Sequence, residues 1–569
     1  MDFRHGRARL PEGHYRNGGE TTKESGPHMI KRLLICPCPD LKIDPEALAA
    51  RLTSAGWEAQ LTPRLCTPTG VAYLQNILAE EPERCLLAAC GPEVNAGLFR
   101  RLRDGTFPPV VDLLPINELE TAVGELILAG TAPHFPSLRP AGACQAVLVV
   151  GGGIGGCQAA LDLAEAGYKV YLVDSSLSIG GSMAQLDKTF PTLDCSICIL
   201  GPRLVEAGTH KNIQLLTYAD IEGIRGQVGA FEVDLTLKPR YVDMAKCVGC
   251  GSCGEVCPVI VPSRWNLGLK PRKCIRIIFA QAVPLRATLE KEYCIDCRMC
   301  VSACERRAID LDAAPVSQTI YVGAIILAVG ARPLDPAIKS EYGYGRIPRV
   351  ITALEFERLV CPTGPTGGSL IAPDGTPVKS LAFIQCVGSR DRRFLPYCSG
   401  VCCTASIKEA MLAVEHDPEV RVTVFFNDIR TSGKGFEELY RRAQKAGVRF
   451  LKGLPGRLEA DGTGRPVIYY DDQQSGRQAK LTVDLAILAV GLEAPREIPA
   501  FANLGLERDA LGFYRGRHPI LHPLESNLPG IFLVGTCQGP QDISETVCQG
   551  SAAAARAMRL LAGLKEKGD

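Results

Sequence analysis

Eight cysteines between residues 247 and 304 have the spacing that binds iron-sulfur clusters in ferredoxins. The motif C-x2-C-x2-C-x3-C occurs twice, followed by Pro258 after the first copy and by Glu305 after the second. In this motif three close thiolates bind one cluster and the fourth binds the other. A zinc site needs two pairs of thiolates spaced for tetrahedral coordination. It does not account for two copies of the C-x2-C-x2-C-x3-C motif. We therefore predict two [4Fe-4S] clusters, one on Cys247, Cys250, Cys253 and Cys304 and one on Cys294, Cys297, Cys300 and Cys257.

A second group of cysteines follows the apolar segment SLAFIQ, where a nicotinamide-binding domain would have a glycine-rich turn. Only Gly388 and Gly400 remain there, and neither has the spacing that holds a diphosphate. We predict that the thiols in this segment bind a further cluster with non-ferredoxin spacing. The alternative is two buried thiols beside a reactive adjacent pair. The four residues are Cys386, Cys398, Cys402 and Cys403.

The pair Cys195 and Cys198 has C-x-x-C spacing, which suits either a redox-active dithiol or ligation of a shared cluster. Packed thiols are a third alternative. The cysteines of the N-terminal region that could share such a cluster are Cys36, Cys38, Cys66 and Cys90.

A dinucleotide fingerprint lies in AVLVVGGGIGGCQAALDLAEAGYKVYLVDSS. Gly151 permits a tight turn after the strand, Gly153 lets the backbone approach a diphosphate, and Gly156 lets helix and strand pack closely. The free amides of the helix N-terminus favour the diphosphate charge. Asp174 ends the next strand and suits a ribose with free hydroxyls. The alternative is a glycine-rich turn in an unliganded α/β core.

Two downstream segments favour FAD over NAD as the ligand. ILAVGARP, with Gly330, and GIFLVGTCQGPQD, with Gly535 and Asp542, look like the later nucleotide-contacting segments of flavoproteins with two dinucleotide domains. We assign Gly181, in the GGSM turn, to the same site. Either downstream segment alone would indicate only a buried strand followed by a turn.

The composition excludes several function classes. The chain has 569 residues and 25 cysteines, with 63 Lys and Arg against 62 Asp and Glu, a net charge of +1. The chain therefore has no excess of positive charge of the kind that nucleic-acid-binding proteins carry. No apolar run approaches the roughly 18 residues that span a bilayer, so we expect no direct membrane insertion. The polar N-terminus lacks a secretory signal, which predicts a cytoplasmic protein whose thiols bind metal rather than form disulfides.

These patterns predict an α/β fold: a Rossmann-like flavoprotein with two dinucleotide-binding domains, an inserted two-cluster ferredoxin domain and a small N-terminal α/β domain. Met29 is a candidate for the true start. The predicted divisions are a disordered leader (1–28), a cysteine-bearing α/β domain (29–140), FAD-binding parts (141–238, 315–377 and 485–569), the ferredoxin insertion (239–314) and a degenerate second nucleotide-type domain (378–484).

Taken together, the segment GGSMAQLDKTFPTLDCSICILGP, the paired ferredoxin motif, the Cys386 to Cys403 set and GIFLVGTCQGPQDISETVCQGSAAAA resemble the A subunit of heterodisulfide reductase. The resemblance covers about Met29 to the C-terminus. It implies a flavin that accepts an electron pair and passes single electrons to two acceptors, which is flavin-based bifurcation. It also places Lys408 beside the flavin as the catalytic residue, with a surface lysine as the alternative.

The resemblance further implies partners: B- and C-like subunits and an electron-donating or accepting protein such as ferredoxin or a hydrogenase or dehydrogenase module. Three features depart from the family. The sequence ends where members often carry a further ferredoxin domain, so we expect a form without it. Ile520 and Gln541 stand where the family usually has lysines, and a lost cation near the flavin would change which flavin state is stabilised.

Two other functions compete with this interpretation. One is a self-sufficient NAD(P)H-dependent oxidoreductase like the small subunit of glutamate synthase, favoured only by the two-domain layout. The other is a scaffold with structural clusters, which the flavin fingerprint disfavours.

Overall fold

A computed structural model describes residues 32–35, 46, 49–50, 53, 58–62, 85–89, 111–115 and 144–565. The chain divides into two compact units, residues 1–137 and 138–569. In the first unit four parallel strands form a sheet in the order β2-β1-β3-β4. They are β1 (Arg32–Ile35), β2 (Glu58–Leu61), β3 (Cys85–Ala89) and β4 (Val111–Pro115). The predicted leader and Cys36, Cys38, Cys66 and Cys90 lie outside the described residues.

The second unit alternates strands and helices. Its strands are β5 (Ala146–Val150), β6 (Lys169–Asp174), β7 (Ile213–Thr217), β8 (Ala219–Gln227), β9 (Ala230–Leu237), β10 (Ile260–Pro262), β11 (Pro271–Lys273), β12 (Ile275–Arg276), β13 (Thr288–Leu289), β14 (Val316–Val322), β15 (Ala324–Leu327), β16 (Arg332–Pro333), β17 (Val350–Thr352), β18 (Ser380–Val387), β19 (Arg421–Phe426), β20 (Arg449–Lys452), β21 (Arg457–Ala460), β22 (Pro466–Asp472), β23 (Arg477–Thr482), β24 (Leu485–Val490), β25 (Leu492–Glu493) and β26 (Ile531–Leu533). Its helices are α1 (Ile154–Glu165), α2 (Ser196–Thr209), α3 (Ser252–Glu255), α4 (Met299–Ser302), α5 (Ala353–Val360), α6 (Cys402–His416), α7 (Phe436–Lys445), α8 (Pro499–Asn503) and α9 (Ile543–Lys565).

The fingerprint segment forms the centre of a five-stranded parallel sheet with the order β26-β15-β5-β6-β7. All five residues of β5 are buried, as expected for a strand that is covered on both faces. Helices α1 and α9 pack together against the sheet through small side chains such as Ala160 and Ala557. The carboxyl ends of these strands lie along one edge, where ligands bind in open α/β sheets.

The cysteine-rich insertion leaves and re-enters this unit between two paired strands. β14 pairs antiparallel with β9, which pairs with β8. Between β9 and β14 the chain forms the antiparallel pairs β10-β11 and β12-β13 and the one-turn helices α3 and α4. The core of this segment includes Cys253, Cys274, Ile275 and Cys300. A segment this short buries little apolar surface, so metal ligation by its thiols would add the stability that its core lacks.

A second five-stranded parallel sheet has the order β17-β24-β18-β19-β20. It draws β17 and β24 from outside the predicted domain 378–484, so both of these predicted boundaries cut through the sheet. The sequence pattern separates the strands because β17 is short and is followed by more than 20 residues of loop and helix before β18. An antiparallel sheet, β21-β22-β23, follows β20.

The described residues contain one helix of more than 20 residues, α9. Neither this helix nor the shorter described ones combine the length and the apolar character that crossing a membrane requires.

Candidate functional site

A cavity of about 700 Å³ opens at the carboxyl edge of the first sheet and extends to the second sheet. Its volume falls in the range of small-molecule and cofactor sites. The sequence-predicted nucleotide residues that line it are Gly151, Gly153, Asp174, Gly181, Gly330, Gly535 and Asp542. Gly156 is absent from this wall, because it lies behind the turn.

The turn between β5 and α1 has no room for side chains. A Cβ on Gly156 would lie 1.9 Å from the carbonyl oxygen of Gly151, and a Cβ on Gly151 would lie 2.4 Å from that of Ala328. Gly151 also has a φ of +101°, in the left-handed region that favours glycine. On the cavity side, by contrast, a Cβ on Gly153 would meet nothing within 4 Å. The turn is therefore packed behind and open in front, which suits close approach of a diphosphate.

Two helix N-termini face the cavity. α1 begins after Gly153 without a side-chain cap, so its first amides remain free for a ligand. Asp542 precedes α9 and accepts a hydrogen bond from the amide of Glu545 at 2.8 Å, while Glu545 accepts one from the amide of Asp542 at 3.0 Å. Asp174 accepts hydrogen bonds from the amides of Gly152 and Ser176, both at 2.7 Å. These bonds fix the Asp174 carboxylate at the cavity wall.

Lys408 is buried in the cavity wall rather than on the surface, which excludes the surface alternative. Its ammonium contacts the carboxylate of Glu357 and donates to the carbonyl of Lys188 at 3.1 Å. Burial lowers the pKa of Lys408 to about 8, and the carboxylates of Glu409 and Asp187 oppose that change. Burial also raises the pKa of Glu409 to about 8. The cavity wall therefore has two groups that can exchange a proton near neutral pH.

The polar residues of this wall that sequence reasoning missed include Glu357 and Glu409. Both glutamates stand in amphipathic helices, where an acidic residue normally faces solvent, so their spacing gives no signal. The sequence marks Gln541 only as a departure from the family. Ile520 is expected near the flavin on the same ground, but it is 81% exposed and is not part of the cavity wall. Of the two positions where the family usually has lysine, only Gln541 therefore lines the cavity.

The cavity fits an FAD molecule on two observations. Oε2 of Glu409 and Oε1 of Gln541 are buried without a hydrogen-bond partner. Such atoms are costly to leave unpaired, and a bound group with N–H or O–H donors would satisfy them. The glycine cradle and the free amides at the start of α1 would receive the diphosphate.

The first predicted ferredoxin set surrounds one small cavity. Its wall contains all four predicted thiols, including Cys304 from the second motif. Cys250 accepts a hydrogen bond from Ser252 Oγ at 3.5 Å, and Cys304 accepts one from the amide of Ala308 at 3.3 Å. The four residues are Cys247, Cys250, Cys253 and Cys304. The fourth thiol of the second motif thus lies in the same small cavity as the first three thiols of the first motif.

The second ferredoxin set lies beside the first. Burial raises the pKa of Cys300, and the nearby thiols of Cys294, Cys257 and Cys297 raise it further. Cys274, expected to be a packed thiol, is buried beside this set and donates a hydrogen bond to the carbonyl of Glu290 at 3.1 Å. Thiols in such surroundings lose their protons on binding metal, which couples cluster insertion to folding.

The third thiol set lies between the end of β18 and the start of α6. Burial raises the pKa values of Cys386, Cys402 and Cys403, with contributions from neighbouring thiols of the set. Cys398 accepts a hydrogen bond from the amide of Gly400 at 3.4 Å. Cys402 also lines the large cavity, so this set adjoins the proposed flavin site.

Within the described residues, no three His, Cys, Asp or Glu side chains are placed to hold a single metal ion.

Cys195 and Cys198 form a disulfide at the start of α2. Cys195 forms a β-bridge with Lys188, whose carbonyl accepts the hydrogen bond from Lys408. In the structure this pair is a disulfide, which is the oxidised form of a C-x-x-C dithiol. The general expectation that the thiols form no disulfide is therefore wrong at this position, because the first turn of α2 brings the two sulfur atoms together.

Two family models agree with this chemistry. A family model described as FAD dependent oxidoreductase matches residues 146–191, and a 4Fe-4S binding domain model matches residues 240–259. Among solved structures, Lactococcus lactis thioredoxin reductase has a TM-score of 0.43 at 15% identity, covering 74% of this chain and 99% of that one. The chain is an oxidoreductase that binds FAD and iron-sulfur clusters.

Curated relatives specify the family. The A subunit of the H2:CoB-CoM heterodisulfide, ferredoxin reductase of Methanothermobacter marburgensis is 46% identical over 516 residues, covering 86% of this chain and 78% of the relative. The iron-sulfur A subunit of the CoB-CoM heterodisulfide reductase of Methanocaldococcus jannaschii is 41% identical over 521 residues, covering 87% and 79%. The chain belongs to the family of heterodisulfide reductase A subunits, as its motifs predict.

Proposed function

We propose that this chain transfers electrons between FAD and three four-iron clusters within a complex like heterodisulfide reductase. The observation that carries the proposal is the position of Cys402, which belongs to the third thiol set and also lines the flavin cavity. A cluster on this set would adjoin the flavin. FAD, when bound, supplies the exchange between two-electron and one-electron chemistry.

The residues proposed to hold FAD are those of the glycine cradle, Asp174, and the start of α9. Lys408 and Glu409 line the same wall, and each has a pKa of about 8. These two groups would hold or release a proton beside the flavin at physiological pH. Lys408 is kept in place by Glu357 and by the carbonyl of Lys188.

The turn after β18 supports clusters over a nicotinamide. Where a dinucleotide turn needs free space, a Cβ on Gly388 would lie 1.9 Å from a side-chain carbon of Leu334. The side chains of Ser389 and Ser399 are hydrogen-bonded across the same turn at 2.7 Å. This filled turn leaves no cradle for a diphosphate, so electrons would pass here through thiolate-bound iron.

The proposed domain arrangement follows the pairing of strands. Residues 239–314 form the ferredoxin insertion, and the flavin domain is assembled from segments on both sides of it. The second nucleotide-type domain begins with β17 and ends with β24. We propose a cytoplasmic location, because thiols that bind iron persist in a reducing compartment.

The partners are proposed from the names of the relatives. The Methanosarcina mazei relative is named a ferredoxin:CoB-CoM heterodisulfide reductase subunit, and it is 36% identical over 520 residues, covering 87% of this chain and 66% of the relative. We propose B- and C-like subunits and a ferredoxin-type donor or acceptor for this chain, with bifurcation at the flavin. Pull-down from native anaerobic extract tests this. Recovery of the chain alone, with full disulfide-reducing activity, would contradict it.

The core of the proposal is tested on the anaerobically purified chain by flavin, iron and sulfide analysis. We expect about one FAD and about twelve irons per chain for three clusters. Dithionite should bleach the flavin, whereas NADH and NADPH should not do so in stopped-flow mixing. Reduction by either nucleotide within milliseconds would favour the NAD(P)H-dependent oxidoreductase instead. Zinc in place of iron would overturn the cluster assignment.

A further inference from the structure

A buried group of charges lies beside the second ferredoxin thiol set. The guanidinium groups of Arg272 and Arg276 both contact the carboxylate of Glu290, the second at 2.8 Å. The exposed fractions of these side chains are only 8%, 11% and 12%. Two cations share one anion, so one positive charge is left without compensation in a poorly solvated place. Such a charge is costly unless something negative lies near it.

The unused hydrogen-bond donors lead to the same conclusion. Nε of Arg272 and Nη1 of Arg276 are buried without a hydrogen-bond partner. Burial and the charge of Arg272 together lower the pKa of Arg276. The surroundings of Arg276 therefore disfavour its charge, and the contacts within the protein leave part of that cost unexplained.

The group is attached directly to the second thiol set. The amide of Glu290 donates to the carbonyl of Cys274 at 3.3 Å, and the thiol of Cys274 donates back to the carbonyl of Glu290 at 3.1 Å. The pKa of Cys274 is raised to about 11 by burial and by the nearby thiols of Cys294 and Cys257. In addition, Lys273 donates to the carbonyl of Cys257 at 2.7 Å.

The first thiol set has no equivalent group among the described residues. Two charged residues beside it, Glu305 and Arg306, are exposed to solvent, where their fields are screened. Two other charge pairs near the second set, Lys291 with Asp296 and Arg264 with Glu292, are neutral overall and solvent-accessible. The two ferredoxin sites therefore differ by a buried net positive charge at the second one.

We propose that Arg272, Arg276 and Glu290 act as positioning residues that raise the reduction potential of the cluster on Cys294, Cys297, Cys300 and Cys257 above that of the cluster on Cys247, Cys250, Cys253 and Cys304. Net charge, hydrogen bonding and solvent exposure are the means by which a protein sets a cluster potential. One-electron reduction adds one negative charge to the cluster, and a fixed buried cation favours that state. An electron in the insertion would then reside on the second cluster. This inference rests on the proposed assignment of the cluster ligands.

The test is an EPR-monitored redox titration of the full chain, with dithionite as the one-electron donor. Cys250→Ala and Cys297→Ala assign the signals, because these exposed cysteines hold the same position in the two motifs. Arg276→Gln removes the uncompensated charge and leaves the Arg272–Glu290 pair. We expect the reduced-to-oxidised ratio of the second cluster at fixed potential to fall by roughly tenfold, because one poorly screened unit charge is removed.

Two further variants separate charge from packing. Arg276→Lys keeps the charge and should keep the potential close to that of the original chain, whereas Glu290→Gln adds an uncompensated cation and should raise it. The matched control is Arg264→Gln, because Arg264 is 72% exposed in the same insertion. Its replacement should move neither signal.

The outcomes distinguish this inference from the assignment beneath it. A lower potential for the second cluster alone in Arg276→Gln, restored in Arg276→Lys, supports it. Full iron content with both potentials unchanged, or with both shifted equally, overturns it and leaves the cluster assignment intact. If Arg276→Gln fails to take up iron, an unchanged potential in Glu290→Gln overturns it. No ferredoxin-type signal in the original chain would overturn the assignment and the inference together.

Discussion

In the two parallel sheets of the second unit four strands have the same arrangement, β15-β5-β6-β7 in the first and β24-β18-β19-β20 in the second, but the sheets carry different ligand chemistry. In the first sheet the central strand β5 is flanked by β15 and β6, and in the second the central strand β18 is flanked by β24 and β19. Each central strand leads into a turn and then a helix, α1 or α6. At that equivalent point the first sheet has Gly151 to Gly156, and the second has Cys386 to Cys403.

The difference shows that topology provides the place for a ligand and that local side chains decide which ligand it is. Glycines keep the first turn free of side chains, so backbone amides can reach a diphosphate. In the second turn Leu334, Ser389 and Ser399 occupy that space, and the thiols converge instead. Both places adjoin one cavity, and this brings the proposed two-electron and one-electron carriers together.

The largest effect is expected from filling the first turn. Gly156→Ala places a Cβ against the carbonyl oxygen of Gly151, so the turn must move away from its diphosphate-binding shape. We expect FAD content to fall by roughly tenfold or more. Gly462→Ala is the control, because an added Cβ there meets nothing within 4 Å. Normal FAD content in Gly156→Ala would show that the cradle is not needed.

Removing a thiol from the second turn should lower the iron content and leave FAD bound. Cys398→Ala removes one thiolate of the third set and should lower iron by about four per chain while FAD stays bound. Metal analysis and flavin absorbance of the same sample measure both. Cys548→Ala, at an exposed cysteine of α9, should leave iron unchanged. Loss of FAD together with iron in Cys398→Ala would mean that the two sites are not separable.

The titration of Glu409 in the cavity wall should make the stability of the folded protein depend on pH. Glu409 has its pKa raised from 4.5 to about 8, so between these values the folded protein holds a proton that the unfolded chain releases. Stability from this group is therefore lost as pH rises through that window, whereas Lys408 is protonated in both states below about pH 8.

Glu409→Gln should abolish this loss between pH 5 and pH 7. Thermal melting across that range measures it. The exposed Glu438→Gln is the control and should keep the original slope. An unchanged slope in Glu409→Gln would place the titrating group elsewhere.

The smallest effect concerns the helix that supplies Glu357 to the wall. Thr352 caps α5 by accepting from the amide of Glu355 at 3.2 Å, and Glu355 accepts from the amide of Thr352 at 2.6 Å. Thr352→Ala should cost about 1 kcal/mol, or about 2 °C in melting temperature, with FAD and iron contents unchanged. A large loss of FAD would indicate that the cap also orients Glu357.

Much of this arrangement could be predicted from local pattern. The ferredoxin spacing and the strand-turn-helix around Gly151 are short-range signals, because each ligand set comes mainly from one segment. The boundaries of the second nucleotide-type domain could not be predicted in this way. β17 joins β24 across more than 130 residues, and a pairing over that distance leaves no periodic trace in the sequence.

The sequence by itself determined the cofactor chemistry and the family, because thiol spacing, glycine spacing and strand polarity are encoded within short segments. Only the tertiary structure decided that Lys408 is buried, that Glu357 and Glu409 share its cavity, and that Arg272 and Arg276 meet on Glu290. The physical reason is that the pKa of an ionisable group, and the effect of its charge, depend on burial and on partners that are distant in the chain. A helical glutamate looks the same in the sequence whether it faces solvent or a flavin cavity.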